Sequence, residues 1–346
     1  MSSAEKEKES GEPRVDGLDD VLSNSGVSNV DDAWKFLDKH RDAANNIQDD
    51  DDNNAVDILA IRRKIDWRIV PLGFLCYMMQ FTDKLVLNVS ILPILHIPVP
   101  SKKNQRWTHL EKKQYAGVMT LRQDLHLQGN DFSNLVSATY VAIAVWEIPT
   151  IYFLQRFPVA KYMAANVVLW GVATACGAAT HDYRTMLVTR VFLGIFEATI
   201  NPSLMLISGR WYTKPEQAPR FSFWLVGLGV GQILGGAVSY GFQHVLESTL
   251  SGWRIMFVLL GLVTVVFGIL TWFFLPDTPM EAPWLSDGEK VALLKHISVN
   301  QTGVEDRKVI VAEIWEALRD PQVWLLWLSV ILVSLFCLLF LCFILL

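Results

Sequence analysis

Five ionisable side chains stand inside stretches that otherwise carry no charge: Asp83, Lys84, Glu147, Arg190 and Glu197. A charge at bilayer depth costs on the order of several kcal/mol, so such residues are kept for pairing or for function. Arg190 and Glu197 are seven positions apart, close to two helical turns, and fall on one helix face. A face with a fixed cation beside a titratable carboxylate suits capture of an organic anion together with a proton. In that reading Arg190 holds the anion, Asp83 and Glu197 exchange protons as burial shifts their affinity, and Glu147 is a further proton-coupling candidate. A plainer reading stands beside it. Arg190 could neutralise Glu197 or Asp83 in a closed bundle, and Lys84 could snorkel to a surface.

The elements that must position these groups are apolar and long. Of the 346 residues, 51% are hydrophobic and only 19% charged, below the quarter usual for globular chains. The charge is concentrated before Trp67, and uncharged runs of about 20 residues, enough to cross a bilayer, recur after it. This excludes a soluble enzyme, a nucleic-acid-binding domain and a secreted disulfide scaffold. The four cysteines, Cys76, Cys176, Cys337 and Cys342, all sit in apolar runs without metal-ligand spacing, and no cofactor is expected. The expectation is an all-α, multi-pass membrane protein.

Seven apolar segments are placed near Ile69–Ile91, Phe132–Phe153, Tyr162–Ala179, Thr185–Ser208, Ser222–Phe242, Ile255–Leu275 and Val323–Leu346. The short loops between the second and third and between the third and fourth predict antiparallel neighbours. Residues 1–66 read as a largely disordered cytosolic tail, with a short amphipathic helix around Ala33–His40 as an option. Residues 67–275 read as a six-helix half, 276–321 as a cytosolic linker and 322–346 as a seventh, truncated span. In the fifth segment Gly227, Gly231 and Gly235 repeat every four residues, a small-residue face that lets helices approach closely. Gln232 beside it is a candidate cavity-facing amide. Asn300-Gln301-Thr302 matches a glycosylation acceptor, but its place in the linker predicts that it stays unused.

Lys and Arg set the expected orientation. Arg62, Arg63, Lys64 and Arg68 precede the first segment, and Arg156, Lys161, Arg210, Lys214 and Arg220 follow on the same side. Only Arg184 and Arg254 mark the opposite short loops. The N-terminus is therefore expected in the cytosol, with the plasma membrane as the expected location.

Several stretches resemble the major facilitator superfamily, and more narrowly the fungal allantoate permease group of anion:cation symporters. They are Lys64-Ile65-Asp66 leading to Phe81-Thr82-Asp83-Lys84, Leu154–Lys161, Thr189–Ala198, Leu206–Thr213, Leu275–Pro279 and Asn300–Gly303. The resemblance implies a proton-coupled carrier of small organic anions such as allantoate, nicotinate or pantothenate, with the first and fourth spans lining a central cavity. It implies proton coupling at Asp83 and Glu197, and substrate contact at Lys84 and Arg190. Two departures stand out. Lys84 occupies a position often held by Arg, which loses bidentate carboxylate recognition. Gln155 and Pro158 stand where the general superfamily motif has Asp and Gly.

The family has two six-helix halves with substrate between them, so a missing second half is expected here. The loop after the first span also breaks the charge rule, with Lys102, Lys103, Arg106, Lys112 and Lys113 on the outside. Removing the 26 residues Val89–Gln114 restores both the family-like sequence and the charge pattern. Val-Ser, encodable by a splice-donor consensus, opens that stretch and recurs at Val333-Ser334. The expectation is two translated introns, 89–114 and the residues after about Leu332; the alternative is a genuine insertion in a half-length protein. Sequencing cDNA across both junctions separates them. In function the alternatives to a transporter are a non-transporting membrane fragment or nutrient sensor, and, from span number alone, a seven-helix receptor.

Overall fold

In the computed structural model, residues 58–89, 121, 124–243, 251–298 and 311–345 are described, together with Phe36 and Lys39. The insertion after Val89, the remainder of the tail and the Asn300 sequence lie outside them. Every regular element among the described residues is helical. The chain forms two units, residues 1–306 and 307–346. The first holds α1 (Ile58–Val89), α2 (Asp131–Arg156), α3 (Val159–Gly177), α4 (Tyr183–Glu197), α5 (Ile200–Trp211), α6 (Lys214–Gln243), α7 (Gly252–Phe274) and α8 (Asp287–Ser298). The second holds α9 (Val311–Arg319) and α10 (Pro321–Leu345), whose apolar side chains from Val323 to Phe336 are exposed.

Among the described residues, five helical stretches are long and apolar enough to cross a membrane: α2, α3, α4 with α5, α6 and α7. The first segment expected from sequence differs from the hydropathy reading. α1 starts at Ile58, inside the stretch assigned to the disordered tail, because Ile61, Ile65 and Ile69 form a four-residue stripe that is buried while Trp67 is 83% exposed. Arg62, Arg63 and Lys64 hide that stripe from a hydropathy average. The fourth segment is also not one rod. Pro202 has no amide to offer the Ala198 carbonyl, and the helix breaks into a turn at Ala198–Thr199, directly after Glu197.

Glycines choose which helices pack. A Cβ on Gly171 of α3 would lie 2.7 Å from the Gly261 carbonyl oxygen of α7, and one on Gly261 would lie 2.6 Å from that of Gly171. The two backbones are therefore in direct contact. α1 and α6 close in the same way, with a Cβ on Gly227 falling 2.8 Å from the Phe74 carbonyl, and Gly231 stacked on Met78. Thus the four-residue spacing serves close packing at Gly227 and Gly231. α2 lies mainly against α4, not against its chain neighbour α3, which it touches near the tight turn at Phe157-Pro158. Loop length dictated succession there, and Gly194 dictated packing: a Cβ on it would sit 2.6 Å from the Thr139 carbonyl.

The linker stretch is ordered where it is described. Ser286 and Glu289 satisfy each other's backbone amides at the start of α8, and Val291, Ala292, Leu293, Leu294 and Ile297 are buried. Trp284 stacks on Trp211 of α5 at 5.7 Å, and Arg68 of α1 lies 4.3 Å over the Trp284 ring.

Candidate functional site

Asp83 and Lys84 come from α1, and Arg190 and Glu197 from α4. Thr82 fixes the register of α1: its hydroxyl lies 2.8 Å from the Met78 carbonyl and 3.1 Å from Gly231 of α6. This directs the adjacent Asp83 and Lys84 to different neighbours. Thr174 of α3 donates to Asp83 Oδ2 at 2.9 Å. Lys84 Nζ lies 2.8 Å from Glu197 Oε1, with the rings of Phe81 and Tyr140 at 5.1 and 5.9 Å. On α4, Arg190 and Glu197 share a face as their spacing predicts, and both are buried.

These groups surround a cavity of about 20 Å³, room for roughly one water. Its lining is Asp83, Lys84, Val136, Thr139, Tyr140, Arg190, Leu193 and Glu197. The Gly194 contact that draws α2 onto α4 is what brings Thr139 and Tyr140 to it.

The satisfaction of the charges is uneven. Lys84 is close to Glu197 but off the direction of a hydrogen bond, and neither Glu197 oxygen accepts one among the described residues. Arg190 forms no ion pair among the described residues, and its Nε has no acceptor. Its guanidinium instead rests 4.8 Å over the ring of Phe257 of α7. Two cations and two carboxylates balance formally. The pairing is looser than a purely structural network, where buried charges are kept with their hydrogen-bonding capacity filled.

Four of the six sequence candidates thus meet: Asp83, Lys84, Arg190 and Glu197. Glu147 and Gln232 do not join them; both are exposed, on α2 and α6, away from the cavity lining. Thr174 and Phe257 were missed, and so were Thr139 and Tyr140. Each is an ordinary residue of an apolar helix, and nothing local in sequence separates it from lipid-facing or core neighbours.

The model of the Major Facilitator Superfamily matches residues 73–346. Among curated proteins, the Thiamine pathway transporter THI73 of Saccharomyces cerevisiae is 36% identical over 267 residues, 76% of this chain and 45% of that protein. The Allantoate permease of the same yeast is 32% identical over 272 residues, 78% of this chain and 45% of its own length. The chain therefore spans about half the length of the curated relatives it matches. Among solved structures, the proton:xylose symporter XylE aligns over 70% of this chain and 52% of its own, at 15% identity and a TM-score of 0.46. With the family match covering most of the sequence and apolar helices to span a bilayer, the chain is a multi-pass membrane protein of the Major Facilitator Superfamily.

Proposed function

We propose that this chain supplies the first half of a secondary transporter that carries a small organic anion with protons across the plasma membrane, its N-terminus in the cytosol. The observation behind this reading is the pairing of half-buried Lys84 with buried Glu197 beside Arg190, a cation with no ion pair of its own among the described residues. While Glu197 is ionised it holds Lys84 at 2.8 Å. A proton on Glu197 removes that attraction, and the Lys84 ammonium can turn to a substrate carboxylate alongside Arg190. The proton then precedes the anion, and each stabilises the other's bound state, which is the coupling a symporter needs.

The small cavity fits this order. About 20 Å³ is too little for any carboxylate-bearing nutrient, so its lining must open to admit one. Similarity to the Allantoate permease of yeast supports an anionic cargo of the ureide or carboxylate class. A relative named for the thiamine pathway supports a wider cargo range, in which Asp83 and Glu197 would meet a cation. Glu147 and Gln232 keep a role in this scheme only where further helices cover the faces on which they stand.

Uptake of labelled allantoate, nicotinate and pantothenate, in a yeast strain lacking the resident permease, tests the proposal. Accumulation that rises with the proton gradient is expected. Glu197→Gln should remove the pH dependence and spare substrate exchange. Uptake only of neutral or cationic cargo, indifferent to changes at Arg190 and Glu197, would overturn it. A chain that reaches the membrane yet moves nothing in any form would favour a sensor or inert fragment.

A further inference from the structure

Arg190 is held in an unusual way for a buried guanidinium. No carboxylate pairs with it among the described residues, and its Cζ lies over the Phe257 ring, 4.8 Å from the ring centre. A carboxylate partner would occupy the N–H groups of the fork; a ring face stabilises the cation and occupies none of them. The ring packs against α3 where that helix has no side chain: a Cβ on Gly177 would lie 3.3 Å from Phe257 Cδ1. Trp253, one turn earlier on α7, meets Phe257 edge to face at 5.7 Å and 90°. The Trp253 indole N–H donates to Asp124 Oδ2 at 2.8 Å, and Ser251 donates to the same oxygen at 2.6 Å. A line of contacts thus runs from a hydrogen-bonded carboxylate at the start of α7 down to the cation in the site.

The geometry points to Phe257 as a positioning residue for anion recognition: its ring keeps Arg190 desolvated, charged and oriented with its N–H groups left for the substrate. The inference rests on the reading of Arg190 as the anion receptor. It adds that α7, a helix with no charge in the site, sets the affinity. A cation–π contact of this kind is worth enough to change KM by about three- to thirty-fold when the ring is removed.

The test is a kinetic comparison of carriers expressed from cDNA in the same yeast strain, with membrane abundance measured for each. Phe257→Leu should raise KM for the labelled carboxylate by about ten-fold while leaving maximal rate and the pH profile near wild type. Phe257→Tyr, which keeps a ring face, should bring KM back to within about three-fold. Should Phe257→Leu fail to reach the membrane, Phe257→Met fills similar space without a ring and is read in its place. An unchanged KM in the ringless carrier, with Arg190→Lys raising it, would sink the role of Phe257 and leave Arg190 as receptor. An unchanged KM in both would sink the anion-receptor reading and this inference with it. A fall in maximal rate alone, unrelieved by Tyr, would show that the ring only packs the helix.

Discussion

Charge is handled differently at the basic end of the bundle and at its centre. At the basic end Asp66 receives a two-point contact from Arg220, at 2.9 Å from Nε and 2.7 Å from Nη2. Arg220 also donates to the Glu216 carbonyl at 2.6 Å and lies 4.3 Å over Tyr212. Glu216 accepts from Arg62 at 2.8 Å and from the Thr213 amide at 3.1 Å, with His296 of α8 at 3.3 Å. Lys64 pairs with Glu289. These contacts give each charge a hydrogen-bonded partner and tie α1, α6 and α8 together. At the centre, Glu197 accepts no hydrogen bond among the described residues, and Arg190 leans on a ring. Saturated charges hold a structure; under-satisfied buried ones have something left to bind. Charge count alone separates neither region from the other, whereas the filling of donors and acceptors does.

The comparison can be broken most forcefully at the centre. Arg190→Ala should reduce anion uptake by about a hundred-fold or more, since it removes a desolvated recognition charge. Membrane abundance is the accompanying measurement, because it separates lost recognition from lost folding. A carrier that loses its fold instead of its uptake would place Arg190 with the structural charges.

Next in size is a purely steric change. Gly171→Ala puts a methyl 2.7 Å from the Gly261 carbonyl, and overpacking of that kind costs about 1–3 kcal/mol. Thermal unfolding in detergent should show a clear loss of stability, while KM in surviving carriers stays near wild type. Arg220→Lys should do less, about 1 kcal/mol, by replacing a planar fork with a point charge at Asp66. It too should leave KM alone, and a change in KM would show that the two regions are coupled.

The smallest effect is a pH dependence at α8. Lys64 beside Glu289 holds its carboxyl below the usual range, against a smaller opposing effect of burial and with help from the Ser286 amide. The folded-state pKa is depressed, so the stabilisation is fully present above the ordinary glutamate value and is lost as pH falls through the lowered one. Hydrogen exchange over 287–298 should therefore quicken below about pH 4, near and under the ordinary carboxylate value. Glu289→Gln should flatten that response.

Much of this molecule is written in one-dimensional pattern. Apolar runs longer than a bilayer is thick make the chain helical and membrane-spanning, because an unpaired backbone in lipid is too costly for any other local form. The seven-residue spacing of Arg190 and Glu197 places them on one face of α4 whatever surrounds it, and the Gly227–Gly231 spacing marks a seam before its partner is known. Helical geometry is local, so sequence suffices for these. The tertiary structure alone decided that Lys84 pairs with Glu197, that Thr174 holds Asp83, and that Phe257 carries Arg190. It alone left Glu147 and Gln232 outside the cavity lining, and folded residues 58–66 into α1 through an isoleucine stripe masked by charge. The physical reason is that a helix presents about 100° per residue to its neighbours, and which neighbour stands there depends on close approaches between segments distant in the chain.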